Sequence, residues 1–158
     1  MNLQYLFKLQ KDLNEKVYVS RNLDESILNS KNFLALLVEL GKLANETKSF
    51  EYWSDAKPST KGVLLDSYVD CFHLILTLGL DKLYTNISPK LKPNDYNISE
   101  QFLNLYVDIN DLMVTSSKDH YITLFEDFLS LGLRLGFSLN EIENSYIIKN
   151  TSNNKKIK

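Results

Sequence analysis

Residues 33–46, FLALLVELGKLANE, and residues 62–79, GVLLDSYVDCFHLILTLG, decide the fold. In both, Leu, Val, Ile, Ala and Phe recur at i, i+3, i+4 and i+7, the spacing that places side chains on one face of a helix. The polar exceptions fall into stripes of their own: Glu39, Lys42 and Glu46 on the first helix, and Asp66, Asp70 and His73 on the second, with Ser67 beside them. A carboxylate on an apolar helix is costly to bury without a cation. Two acidic stripes on neighbouring helices therefore suggest a shared cation site. The alternative is a pair of amphipathic helices with solvated acidic edges, and these residues alone leave both readings open.

Outward from this pair, the same period continues in both directions. Upstream, LQYLFKLQKDLNEKV follows helical spacing from Leu3 to Val17, and Gln10 and Asn14 lie one turn apart. Two amides at i, i+4 can present donors and acceptors to one ligand edge, or form an ordinary polar helix edge. The first helix of the deciding pair is expected over Lys31–Trp53 with a loosening near Ser49, and the second over Lys61–Leu78 with Gly79 as a left-handed cap. The connector SDAKPSTKG between them carries Lys57, Pro58 and Lys61, two ammonium groups beside the acidic pair. Residues 81–98 turn to Asn, Pro, Lys and Tyr, a long loop with turn signals at SP and KPND. Ser99 is a candidate cap for a fourth helix, a fifth ends at Gly136, and Ser138 to Glu141 form a capping box for the sixth. No internal repeat, heptad seam or alternating strand emerges, so the expected class is all-α. One domain covers residues 1–150, followed by a polar, basic tail, 151–158, expected to fray.

Composition narrows the function. The 158 residues are 44% hydrophobic, enough for one substantial core. A net charge of −2 offers no electrostatic footprint for nucleic acid. The single cysteine, Cys71, lies in an apolar helical run and reads as an inert buried thiol. No signal peptide and no apolar run near eighteen residues are read from the chain, which points to a cytoplasmic protein without a membrane contact.

VELGKLANETKSFEYWS, followed by LLDSYVDCFHLILTLGL and LGLRLGFSLNEIENSYIIKN, resembles the dimeric, all-α dUTP diphosphatase family, related to MazG-type nucleotide pyrophosphohydrolases. The likeness runs from LFKLQKDLNEKV to Lys149-Asn150. It implies a helical homodimer that hydrolyses dUTP, or a related deoxynucleotide, to dUMP and pyrophosphate with Mg²⁺. The family's metal signature, E-x-x-E followed about two dozen residues later by E-x-x-D, falls on Glu39, Lys42, Ser67 and Asp70. Glu39 is then the expected catalytic carboxylate. Gln10 and Asn14 correspond to residues that meet the uracil edge, and Trp53 and His73 to residues lining the nucleoside pocket. Lys57, Lys149, Asn150 and Asn153 are expected near the phosphates, with Lys156 where the family has Arg.

Lys42 and Ser67 depart from the metal pattern. Mg²⁺ demands hard oxygen ligands in near-octahedral geometry, and Glu to Lys plus Glu to Ser shifts the formal charge by three units. Two compensations are open. Glu46 lies about 20° from Glu39 around an ideal helix, and Asp66 about 40° from Asp70, so Glu39, Glu46, Asp66 and Asp70 can be drawn as a rebuilt metal set. Alternatively, the Lys42 ammonium neutralises Glu39 and Asp70 in place of a metal. The first makes the chain a dUTP pyrophosphohydrolase, the second a catalytically inactive relative that binds a nucleotide or a protein.

Overall fold

The computed structural model describes residues 1–91 and 94–157, the side chain of Glu25 aside. Six helices account for most of it: α1 (Leu3–Arg21), α2 (Leu28–Thr47), α3 (Lys61–Asp81), α4 (Ile98–Val114), α5 (Lys118–Arg134) and α6 (Leu139–Lys156), with a 3₁₀ turn at Glu25–Ile27 and no strand among the described residues. α2 packs along α3 and α4 along α5, while α1 and α6 lie against α3 and each other. The class is all-α, as the periodicity predicts.

Helix ends follow local chemistry. Asn2 accepts the Tyr5 N–H at the start of α1, and Ser138 and Glu141 form the expected capping box of α6. α4 is capped by Asn97 with Glu100 rather than by Ser99, because only Asn97 lies outside the helix and three residues before a glutamate. Gly136, at φ +86°, ends α5 with the Gly136 N–H on Leu133 O and the Phe137 N–H on Gly132 O, a paired arrangement that closes orphan carbonyls.

Several ends differ from expectation. α2 stops at Thr47, not Trp53: Lys48 takes a left-handed conformation at φ 54°, and the Thr47 hydroxyl folds back on Ala44 O at 2.7 Å. Gly79 is no cap, for α3 continues to Asp81. α6 runs past Asn150 to Lys156, where a frayed tail was expected; Lys16 Nζ holds Asn154 at 2.8 Å, and Asn154 donates to Asn150. The KPND turn falls partly outside the described residues. α3, with mean hydropathy 1.5 over its most apolar stretch, is also long and apolar enough to cross a membrane by length and composition, against expectation. Here it is the central core helix, with Tyr68, Val69, Cys71, Phe72, Ile75, Leu76 and Leu78 all buried.

The expectation of no internal repeat is also corrected. Tyr68 and Gly79 lie eleven residues apart on α3, and Tyr121 and Gly132 lie eleven apart on α5. The helices use them reciprocally. The Tyr68 hydroxyl donates to Phe128 O at 2.8 Å and sits over Gly132; the Tyr121 hydroxyl donates to Ile75 O at 2.9 Å and sits over Gly79. Phe72 and Phe125, each four residues after its tyrosine, meet edge to face at 5.7 Å. The same holds for their neighbours: FLALLVELGKL of α2 aligns with FLNLYVDINDL of α4. The α2–α3 and α4–α5 hairpins are two copies of one pattern, and α3 and α5 meet through matched, reciprocal contacts.

Candidate functional site

Beside α3, between α1, α2 and the end of α6, opens a cleft of about 660 Å³. Its floor is polar but uncharged. Gln10 and Asn14 come from one face of α1, His73 and Thr77 from one face of α3, each pair a turn apart. Gln10 Nε2 donates to Asn14 Oδ1 at 2.8 Å, Asn14 Nδ2 to Thr77 Oγ1 at 3.2 Å, and Thr77 Oγ1 to the His73 carbonyl at 3.0 Å. His73 Nδ1 lies 2.7 Å from Gln10 Oε1, which also receives the Tyr146 hydroxyl at 2.9 Å. Burial holds the His73 imidazole down to about 4, with the Lys149 charge adding to the effect, so it is neutral near pH 7.

The mouth is ionic. Lys42 Nζ meets Glu39 Oε1 at 2.7 Å; Lys149 Nζ bridges Asp70 Oδ1 at 2.7 Å and Asp66 Oδ1 at 2.9 Å. The hydrogen bond that Lys42 donates to Glu39 raises the Lys42 pKa. Asn153 and Lys156 complete the lining from α6. Beneath these acids the buried Cys71 thiol is pushed well above its usual range by desolvation, then by Glu39 and Asp70, which leaves it unreactive.

Of the residues singled out in the sequence, Gln10, Asn14, Glu39, Lys42, Asp70, His73, Asn153 and Lys156 line this one cleft. The others stand elsewhere. Glu46 is two turns along α2 from Glu39, about 10 Å by the helical rise, and accepts a short hydrogen bond from Ser59. Asp66 points outward to solvent and Lys149. Asn150 is buried at 2% exposure and donates to Leu9 O and to the Tyr146 hydroxyl, so it fixes α6 to α1. Trp53 is 66% exposed and packs on Tyr52 and Phe50 in the connector, which also carries the exposed Lys57. Ser67, half-buried on α3, is not among the lining residues.

The rebuilt metal set drawn from the sequence is therefore not assembled. Angular proximity on a helix ignored the axial distance to Glu46 and the outward rotation of Asp66. Among the described residues no three His, Cys, Asp or Glu side chains are grouped to hold a metal ion. The donors at the mouth, two carboxylates each paired with an ammonium, do not fit the all-oxygen shell of Mg²⁺.

Two contributors went unrecognised in the sequence. Thr77 is one turn beyond His73 and was readable from that spacing; Tyr146, from α6, carries no sequence signal that links it to Gln10.

Amides, an imidazole and two ion pairs, set into a cleft that Leu13, Val17, Leu28, Ala35 and Leu74 also line, make this an all-α helical protein with a partly polar cleft beside its central helix. The family model described as dUTPase matches residues 2–158, and the chain belongs to that family. No match was found among curated proteins.

Proposed function

We propose that the cleft takes dUTP or a related uracil deoxynucleotide, base on the floor and phosphates toward Lys42, Lys149, Asn153 and Lys156, and that hydrolysis to dUMP and pyrophosphate is weak. Family membership supports the nucleotide. Weak hydrolysis rests on one observation: Glu39 and Asp70 each lie 2.7 Å from a lysine ammonium. A carboxylate occupied by an ammonium is a poor base for water and a poor ligand for a metal. The test is pyrophosphate release from dUTP, dTTP, dCTP and UTP in Mg²⁺, in Mn²⁺ and in chelator, with dUTP binding followed by calorimetry. Binding with little release is expected. Turnover on the order of 1 s⁻¹ or faster that requires Mg²⁺ overturns the second half of the proposal, and no binding by folded protein overturns the first.

The protein is further proposed to form a homodimer. α2 and α4 pack together, and the exposed Leu34, Val38, Leu103 and Val107 leave apolar surface on both. Light scattering on the purified chain tests this, a monodisperse monomer being the contrary result.

A further inference from the structure

Asp66 and Asp70 lie one turn apart on α3, and like charges at i, i+4 destabilise a helix unless a cation stands between them. The cation at this place is the Lys149 ammonium of α6. Its Nζ lies 2.7 Å from Asp70 Oδ1, 2.9 Å from Asp66 Oδ1 and 3.1 Å from the Asp66 carbonyl oxygen. An ammonium has three N–H donors and no acceptor, and three oxygens meet them here. Lys149 therefore offers a ligand in the cleft its charge but no hydrogen bond.

Lys42 is a different kind of cation. Its side chain is 61% exposed and pairs with Glu39 inside its own helix, so the pair is screened by water and ties no two elements together. The Lys149 side chain is 20% exposed and joins α6 to α3. Of the two acids that a single Lys42 ammonium was expected to neutralise, Glu39 is met by Lys42 and Asp70 by Lys149. What Lys149 holds in place matters for the cleft. Asn153 and Lys156, four and seven residues further along α6, share its face of the helix and line the cleft. Asn150 holds this part of α6 to α1 through Leu9 O, and Lys149 holds it to α3. Hard divalent ions take carboxylate oxygens directly. One bound at Asp70 Oδ1 would displace Lys149, and one at the other oxygen would stand beside an ammonium and be repelled.

We infer that the Lys149 ammonium is the built-in cation of the cleft mouth: it fills the place between the two α3 acids that a divalent ion would need, and so fastens α6, with Asn153 and Lys156, to α3 without a metal ion. The inference rests on the ion pairs and not on the nucleotide proposed for the cleft, so either can fail alone.

Two measurements on the full chain, with no nucleotide present, test it together: loss of the free Mn²⁺ signal in electron paramagnetic resonance, and amide hydrogen exchange along α6. The unaltered protein is expected to hold no Mn²⁺ that Asp70→Asn would release. Lys149→Met should bind Mn²⁺ at least about tenfold more tightly, as removal of a like charge about 4 Å away implies, and residues 149–156 of α6 should exchange severalfold faster. Lys149→Arg, which keeps the charge, should do neither. Adding Asp70→Asn to Lys149→Met should abolish the Mn²⁺ gain, which a purely structural anchor would leave unmoved. Should Lys149→Met fail to fold, Asp70→Asn alone is decisive: it should speed the same exchange and gain no Mn²⁺. Mn²⁺ held by the unaltered protein and released by Asp70→Asn overturns the inference. So does a folded Lys149→Met protein without the Mn²⁺ gain, or exchange along α6 that neither substitution changes.

Discussion

The α2–α3 and α4–α5 hairpins share an apolar skeleton and differ in their charges. Phe33, Leu36, Leu40 and Leu43 on α2 are matched by Phe102, Leu105, Ile109 and Leu112 on α4, all buried. The polar positions have diverged. Where α2 carries Glu39 and Lys42, α4 carries Asp108 and Asp111; where α3 carries Asp70 and His73, α5 carries Thr123 and Glu126. In the first hairpin each acid at the cleft meets an ammonium. In the second, Asp108 and Asp127 face one another across Asn104, whose amide reaches Asp127 at 2.7 Å and Asp108 at 3.4 Å. Burial, then the Asp127 charge, pushes the Asp108 carboxyl up to about 7, so that it holds a proton near neutrality. Close packing specifies the skeleton, because a misplaced methyl is felt there. Charges at helix edges are held less tightly, and in each hairpin they have settled with whatever partners stand nearby.

The largest effect expected is on the shared skeleton. A Cβ at Gly79 would stand 2.2 Å from the Tyr121 hydroxyl oxygen, and one at Gly132 2.6 Å from that of Tyr68. Gly79→Ala and Gly132→Ala should each cost on the order of 3 kcal/mol, read as matching losses in thermal melting; a loss at one site only would break the equivalence of the hairpins.

The pH response should separate the hairpins next. His73, lowered from 6.5 to about 4 in the fold, binds its proton more readily when unfolded, so its contribution makes stability rise with pH across that window. Asp108, raised from 3.8 to about 7, has the opposite sign: its contribution is full below pH 3.8 and is lost as pH rises through 7. Asp108→Asn should therefore flatten the loss between pH 5 and 8 by about 2 kcal/mol, followed by urea unfolding at each pH. An unchanged slope would show that the two acids do not share a proton.

The smallest expected effect is on chemistry. Lys42→Glu with Ser67→Glu puts a carboxylate at all four positions of the metal signature, 39, 42, 67 and 70, and Mg²⁺-dependent pyrophosphate release should rise about tenfold, roughly 1.4 kcal/mol in the barrier. No gain would mean that the floor, not only the mouth, has left the reaction.

The six helices were legible because period and caps agreed, as at Ser138 and Glu141. Gly79 misled, since a glycine near a helix end resembles a cap, and the tyrosine that needs its bare Cα is far away in sequence. The repeat escaped for a related reason: its matched residues are mostly apolar and look like any core, while its differing residues are the charged ones that attract notice. In the cleft, Gln10, Asn14, Glu39, Asp70 and His73 were visible from helical spacing. Thr77 lies on that same spacing, one turn past His73, but stands inside an apolar helix and drew no notice, and the place of Tyr146 depends on how α6 docks against α1. Trp53 was placed by resemblance alone and Lys57 by its charge beside the acidic pair, and their connector holds both outside the cleft.

The tyrosine and glycine that α3 offers to α5 are what α5 offers back, which is the geometry of an isologous interface, the kind that joins two copies of one chain. Here both halves belong to a single polypeptide. Tethering converts such an association into an intramolecular one, at an effective concentration on the order of millimolar for a short flexible linker. Neither half then depends on protein concentration to find its mate. One hairpin is thereby free to carry the cleft while the other keeps only the matching surface.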